Sequence, residues 1–132
     1  MTLSTSALAR PISLSLRPAA ARRQLEAFLR AEGWPGDVDP IVLALHEALV
    51  NAGRHGGGAR RAEAAVSPDG SELTIVVCDH GGVFDPRPFV HRSPNPMAER
   101  GRGLWLISRL ATAYEVRSSE GGNEVVMRFT RP

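Results

Sequence analysis

The sequence predicts an α+β domain: a two-layer sandwich in which a mainly antiparallel mixed sheet carries three helices on one face. Three observations point there. Two pairs of β-patterned stretches are each joined by a short turn signal, "SPDG" and "EGGN", and read as hairpins. Three stretches repeat apolar residues at helical spacing. The elements also fall in runs, β, α, α, β, β, long loop, α, β, β, which segregates helices to one side of an antiparallel sheet.

Residues 1–11 are small, polar and unpatterned at the start, so disorder is expected there, with the folded domain over 12–132. "ISLSL" (Ile12 to Leu16) alternates apolar and polar residues, as a half-buried strand does. Pro18 opens the first helix, where its missing N–H has no helical partner to lose. Leu25, Phe28 and Leu29 share one face of that helix, and Gly33 closes it. "WPGDVDP" is a loop. A second helix over about 39–55 lines up Ile41, Leu45, Ala48, Leu49 and Ala52, then stops at Gly56 to Gly58. "RAEAAVS" and "ELTIVVCD" form the first hairpin. From His80 to Gly103 the chain is rich in Gly and Pro and without period; a connection that long is functional or disordered. "GLWLISRLAT" is the third helix, and "YEVRSS" with "NEVVMRFT" the second hairpin.

Composition narrows the class. At 132 residues, 42% hydrophobic and 23% charged, the chain reads as one soluble globular domain. No apolar run approaches the roughly 20 residues that span a bilayer, and no charged-then-apolar leader is visible. Cys78 is the only cysteine, which excludes an internal disulfide and fits a reducing cytoplasm. The net charge is +2, and all 16 basic residues are Arg, so no lysine amine is available for catalysis or phosphate binding. Those arginines are scattered and aromatics are 5%, which argues against a nucleic-acid stacking surface.

Three features carry chemistry. In "LALHEALVNAGRHG", Glu47, Asn51 and His55 fall four residues apart and share one helix face. A solvated helix edge is the plain reading. Asn is a poor mid-helix residue with no advantage on such an edge, however. A carboxylate and a carboxamide one turn apart can instead hold a hydroxyl and a magnesium ion, which needs few protein oxygens when phosphates supply the rest. In "CDHGGVFDP", Asp79 ends an apolar strand before glycines. It is either an Asx-capped turn or an acceptor for an exocyclic amine with room for a ring. In "RGRGLWLI", Gly101 and Gly103 precede a helix whose free N–H groups make an anion site, with Arg100 and Arg102 beside it. Other residues take plainer readings. Trp105 is core or partner-facing, Cys78 a small packed hydrophobe, and His46, His80 and His91 lack zinc spacing with Cys78.

In that order the features resemble the ATP-binding domain shared by gyrase, heat-shock chaperones, histidine kinases and mismatch-repair ATPases, the GHKL superfamily with its Bergerat fold. "EALVNAGRH" looks like the N box, "DHGGVFDP" the first glycine box, "GRGLWLI" the second, and "GGNEVVMRF" the last glycine-plus-strand segment. The resemblance covers about residues 12–130. The chain length leaves room for this domain alone, so it is most similar to the stand-alone anti-sigma-factor serine kinases of bacteria.

The resemblance implies a role for each residue. Glu47 would be the general base that deprotonates a substrate serine. Asn51 would ligate Mg2+, Arg54 would contact the nucleotide, and His55 would take a structural or phosphate-proximal role. Asp79 would take the adenine amine, Gly81 would lie beside the ring, Asn123 would help bind adenine, and Val83 and Phe84 would also contact the nucleotide. Gly101, Arg102, Gly103 and Leu104 would surround the phosphates, under a lid from about Pro86 to Arg100. ATP and Mg2+ are the implied cofactors. The implied activity is phosphorylation of a small anti-sigma-factor antagonist on Ser by a homodimer that also binds a sigma factor. No nucleic acid or membrane is implied. Val83 stands where the superfamily usually has Gly, Asn123 where Thr is common, and the lid lacks Lys. Two alternatives stay open: a nucleotide-binding interaction module without phosphotransfer, and a slow ATPase.

Overall fold

The alternation of apolar residues builds a sheet with two unlike faces. In the computed structural model, which describes Leu8, residues 10–81, 102–119 and 121–132 (for His55, Arg102 and Ser119 the backbone only), five strands pair in the order β1-β2-β3-β5-β4. They are β1 (Ile12–Ser13), β2 (Ala59–Val66), β3 (Glu72–Asp79), β4 (Ala113–Ser119) and β5 (Gly122–Thr130). Every pairing is antiparallel, so the parallel component of the expected mixed sheet does not occur among the described residues. Two of the pairs are hairpins, and a hairpin admits no other direction.

The first strand is shorter than expected. Leu14 still donates its N–H to Ala62 O at 2.8 Å, but Ser15 N–H turns to the Gln24 side chain at 2.6 Å. The chain is thereby drawn off the sheet and into α1 (Pro18–Ala31). Helix α2 (Asp39–His55) follows, and α3 (Arg102–Leu110) begins one residue before the expected start. The expected lid, with Val83, Phe84 and Gly101, lies outside the described residues.

One face of the sheet packs on the helices. Leu73, Ile75 and Val77 of β3 point there, with Ala62 and Ala64 of β2 and Met127 and Phe129 of β5. Leu25 and Leu29 of α1, Leu45 and Leu49 of α2, and Leu104 and Ile107 of α3 close over them. Each such side chain taken from water contributes about 1.5–3 kcal/mol. Helix α2 is the middle one, packed against both α1 and α3 and onto β3. The "SPDG" turn is held by Asp69, whose carboxylate accepts from both Ser71 Oγ and Ser67 Oγ at 2.7 Å. Those bonds favour the charged form and bring its pKa down to about 2.

The other face carries a small apolar strip, Val76, Cys78 and Val126, with Leu8 packed against it. Leu8 belongs to the segment expected to be disordered. Charged side chains border the strip. Arg61 bridges Glu63 and Glu124 at 3.5 and 3.6 Å, and Arg117 bridges Glu124 and Glu115, each at 3.2 Å. Each of these partly exposed pairs is worth about 0–1 kcal/mol. The Cys78 thiol is wholly buried, and burial pushes its pKa up, against the pull of the Arg61 guanidinium. A buried neutral thiol is a poor nucleophile. In the native chain at pH 8, Cys78 is therefore expected to react with a disulfide reagent such as DTNB far more slowly than in denaturant. Equal rates would show that the strip opens readily.

Candidate functional site

Two members of the polar stripe on α2 lie against α3. Glu47 and Asn51 are half-buried, and both turn toward the first turn of α3. A Cβ built on Gly103 would lie 3.5 Å from Asn51 Oδ1 and 3.5 Å from Glu47 Oε2. The first N–H groups of a helix have no partner within it and carry partial positive charge. A carboxylate and a carboxamide oxygen thus stand beside an anion-binding terminus. Leu104 has its side chain in the core, 3% exposed, so only its backbone can serve a ligand. Arg54 is exposed near the end of α2, seven residues after Glu47 and three after Asn51, and so on their side of the helix. His55 closes the helix.

The second half of the site is at the end of β3. Asp79 Oδ1 accepts the N–H of Gly81 at 2.8 Å and the N–H of Asn123 at 2.9 Å. The first bond is the Asx turn that the sequence allows. The second reaches across to the start of β5 and fixes the carboxylate plane. The N–H of His80 donates to Gly56 O at 2.9 Å, which ties this end of the sheet to the C-terminus of α2. Asn123 is buried here, and its Oδ1 has no hydrogen-bond partner.

Sequence reading missed three residues that shape this corner. Gly56 looks like a helix stop, yet a Cβ there would collide with the Asp79 carboxylate. Gly122 looks like part of a hairpin turn, yet it holds φ +130° and a Cβ would run into the Asp79 carbonyl. Arg60 carries no motif. It sits at an irregularity where β2 skips from Ala59 to Arg61 in the pairing, and its Nε donates to that same carbonyl at 3.0 Å. The bulge shows only in the register, and no spacing in the sequence announces it.

The donor set fits a nucleotide and magnesium. Asn51 and Glu47 offer hard oxygens, which Mg2+ prefers. Asp79, held beside Asn123, offers a carboxylate acceptor to a base. The chain belongs to the histidine kinase-like ATPase domain family, which it matches over residues 13–129. Membership implies ATP binding, for which Mg2+ is the usual companion. Among solved structures, the mycobacterial sensor histidine kinase MprB aligns over 93% of this chain and 98% of its own, with TM-score 0.57 and 18% identity. At that identity the likeness is one of fold. No curated protein gives a significant match. No helix among the described residues is long and apolar enough to cross a membrane.

Gly122→Ala is expected to destabilise the chain by roughly 1–3 kcal/mol, since a residue with a Cβ is strained at that φ and must displace Asp79. Gly53→Ala, in the last turn of α2 with nothing within 4 Å of the new Cβ, is expected to be neutral or to add up to about 1 kcal/mol. Urea unfolding of the two variants beside the parent checks both.

Proposed function

We infer that the chain is an ATP-dependent protein serine kinase that also acts as an anti-sigma factor. The observation that carries the reading is the placing of Glu47 and Asn51 against Gly103 at the α3 terminus. In this reading the α3 N–H groups, the Gly101–Gly103 segment and Arg102 bind the phosphates. Asn51 would hold Mg2+ through its side-chain oxygen, and the ion would supply neutralisation of phosphate charge. Glu47 accepts the proton of a partner's serine hydroxyl as that oxygen bonds to the γ-phosphorus. The bond to the β-phosphate oxygen breaks, and ADP leaves with the electron pair. At the far end, Asp79 takes the adenine amine.

The reading extends to partners. The kinase holds a sigma factor inactive and phosphorylates a small antagonist on Ser, with nucleotide state biasing which complex forms. It acts in the cytoplasm as a homodimer. The resemblance to the stand-alone anti-sigma-factor serine kinases supports serine as acceptor. A partner also has somewhere to dock. Between α1 and α2 lies a groove of about 390 Å³, lined by Arg22, Arg23, Glu26, Val42, Leu43 and His46 among others. Leu43 is 40% exposed on the rim of this groove.

The test begins with calorimetry of ATP binding in the presence of magnesium. Asp79→Ala is expected to abolish binding, and Asn51→Ala to make it insensitive to magnesium. Next, ATP labelled at the γ-phosphate is incubated with the chain and the proteins of its own cells. A labelled phosphoserine that is lost in Glu47→Gln, with ATP still bound, supports the kinase. Binding without transfer favours the interaction module, and phosphate release without a partner favours the slow ATPase.

A further inference from the structure

The sheet is closed on the face opposite the helices, where water would ordinarily reach it. Val76, Cys78 and Val126 lie on that face and are at most 1% exposed. Val76 and Val126 are partners in the β3–β5 pairing. Part of their cover is charged: Arg61 Nη2 and Glu124 Oε2 each stand 3.5 Å from Cys78 Sγ. The apolar part is Leu8, the one apolar side chain from outside the sheet that packs on the strip among the described residues. The chain is strained just beyond it. Arg10 has φ +52°, the only non-glycine residue with positive φ among the described residues. An L-residue in that region brings its Cβ against the following carbonyl. Pro11 comes next, and a residue before proline is driven toward extended backbone. Arg10 is thus held against two preferences at once. No hydrogen bond from Leu8 or Arg10 to another described residue adds to the apolar contact.

We propose that Leu8 and Arg10 form a latch, an apolar plug seated on the sheet and a strained hinge that favours its release. With Arg10 bent, Leu8 covers Val76, Cys78 and Val126. With Arg10 extended, as Pro11 prefers, Leu8 is withdrawn and the strip meets water. The burial of the plug favours the closed form, and the strain at the hinge favours the open one. Two terms of opposite sign and similar size leave a closed state with a minor open population. β1 does not hold the latch shut, because its pairing with β2 begins at Ile12, beyond the hinge. The sheet can therefore stay intact while the latch moves. The device belongs to the fold and is independent of whether the chain binds a nucleotide.

The experiment measures how fast DTNB labels Cys78 in the folded full chain at pH 8, in buffer and in low urea. Cys78 is the only cysteine, so the rate reads its uncovering alone. Leu8→Ser is expected to speed labelling roughly tenfold, since the plug loses its apolar burial. Arg10→Gly is expected to slow it by roughly three- to tenfold, because relief of the hinge outweighs the freedom that a glycine gains when released. Arg10→Val, β-branched and unsuited to positive φ, is expected to speed it. The parent's rate is expected to change little across low urea, since withdrawing one side chain exposes little surface. A Leu8→Ser chain that labels at the parent's rate overturns the proposal, for the cover is then the charged pair alone. So does an Arg10→Gly chain that labels as fast as the parent or faster, since the hinge then stores nothing. A parent rate that climbs with urea as steeply as global unfolding overturns it too. Should Arg10→Val fail to fold, Arg10→Gly still tests the hinge, because it removes strain and adds none.

Discussion

Two hydrogen bonds to one carboxylate oxygen hold the working end of this molecule together. Asp79 Oδ1 gathers the N–H of Gly81 from its own loop and that of Asn123 from β5. The backbone beside it is tied to Gly56 at the end of α2. Three segments far apart in sequence are thus fastened at a point too tight for side chains, which is why glycines stand at 56, 81 and 122. A half-buried carboxylate that accepts from two backbone donors is better satisfied than an unpaired one. The same bonds leave the second carboxylate oxygen oriented in one direction. Structural fastening and ligand recognition are here two uses of one side chain.

Helix α2 divides its labour by face. Its apolar stripe, with Leu45 and Leu49 at the centre, supplies the middle of the core. Glu47 and Asn51 lie at the border of that stripe, half-buried against α3. Chemistry placed on a helix packed on two sides inherits the rigidity of the core beneath it, where a loop would give less precise geometry. The third face, with Val42, Leu43 and His46, looks into the groove shared with α1.

Much of this was legible in the sequence, and for a physical reason. Helices α1 and α2 announce themselves through 3.6-residue periodicity and through Pro and Gly at their ends. The hairpins show through "SPDG" and "EGGN". Glu47, Asn51, Asp79 and Gly103 follow one another in the order of the histidine kinase-like ATPase motifs, and the chain belongs to that family. What stayed hidden depends on distances between segments. Gly56 and Gly122 matter because of what stands opposite them, and Arg60 because of a pairing irregularity. The brevity of β1 comes from a single side chain, Gln24, capturing Ser15 N–H. The all-antiparallel sheet could not be separated from a mixed one, since the direction of β3 against β5 is set by the long connection between them.

The bulge at Arg60 has a wider consequence. Beyond it, Arg61 and Glu63 lie on the charged face of the sheet and Ala62 and Ala64 on the face beneath the helices. Closing the bulge by sliding β2 one position would exchange those sets, and an arginine and a glutamate would be pushed under α2 without partners. The stretch from Gly58 to Arg61 thus acts as a reading frame for the sheet. What it protects against gain or loss is a count of residues, so one inserted or deleted there threatens the domain more than most exchanges of side chain.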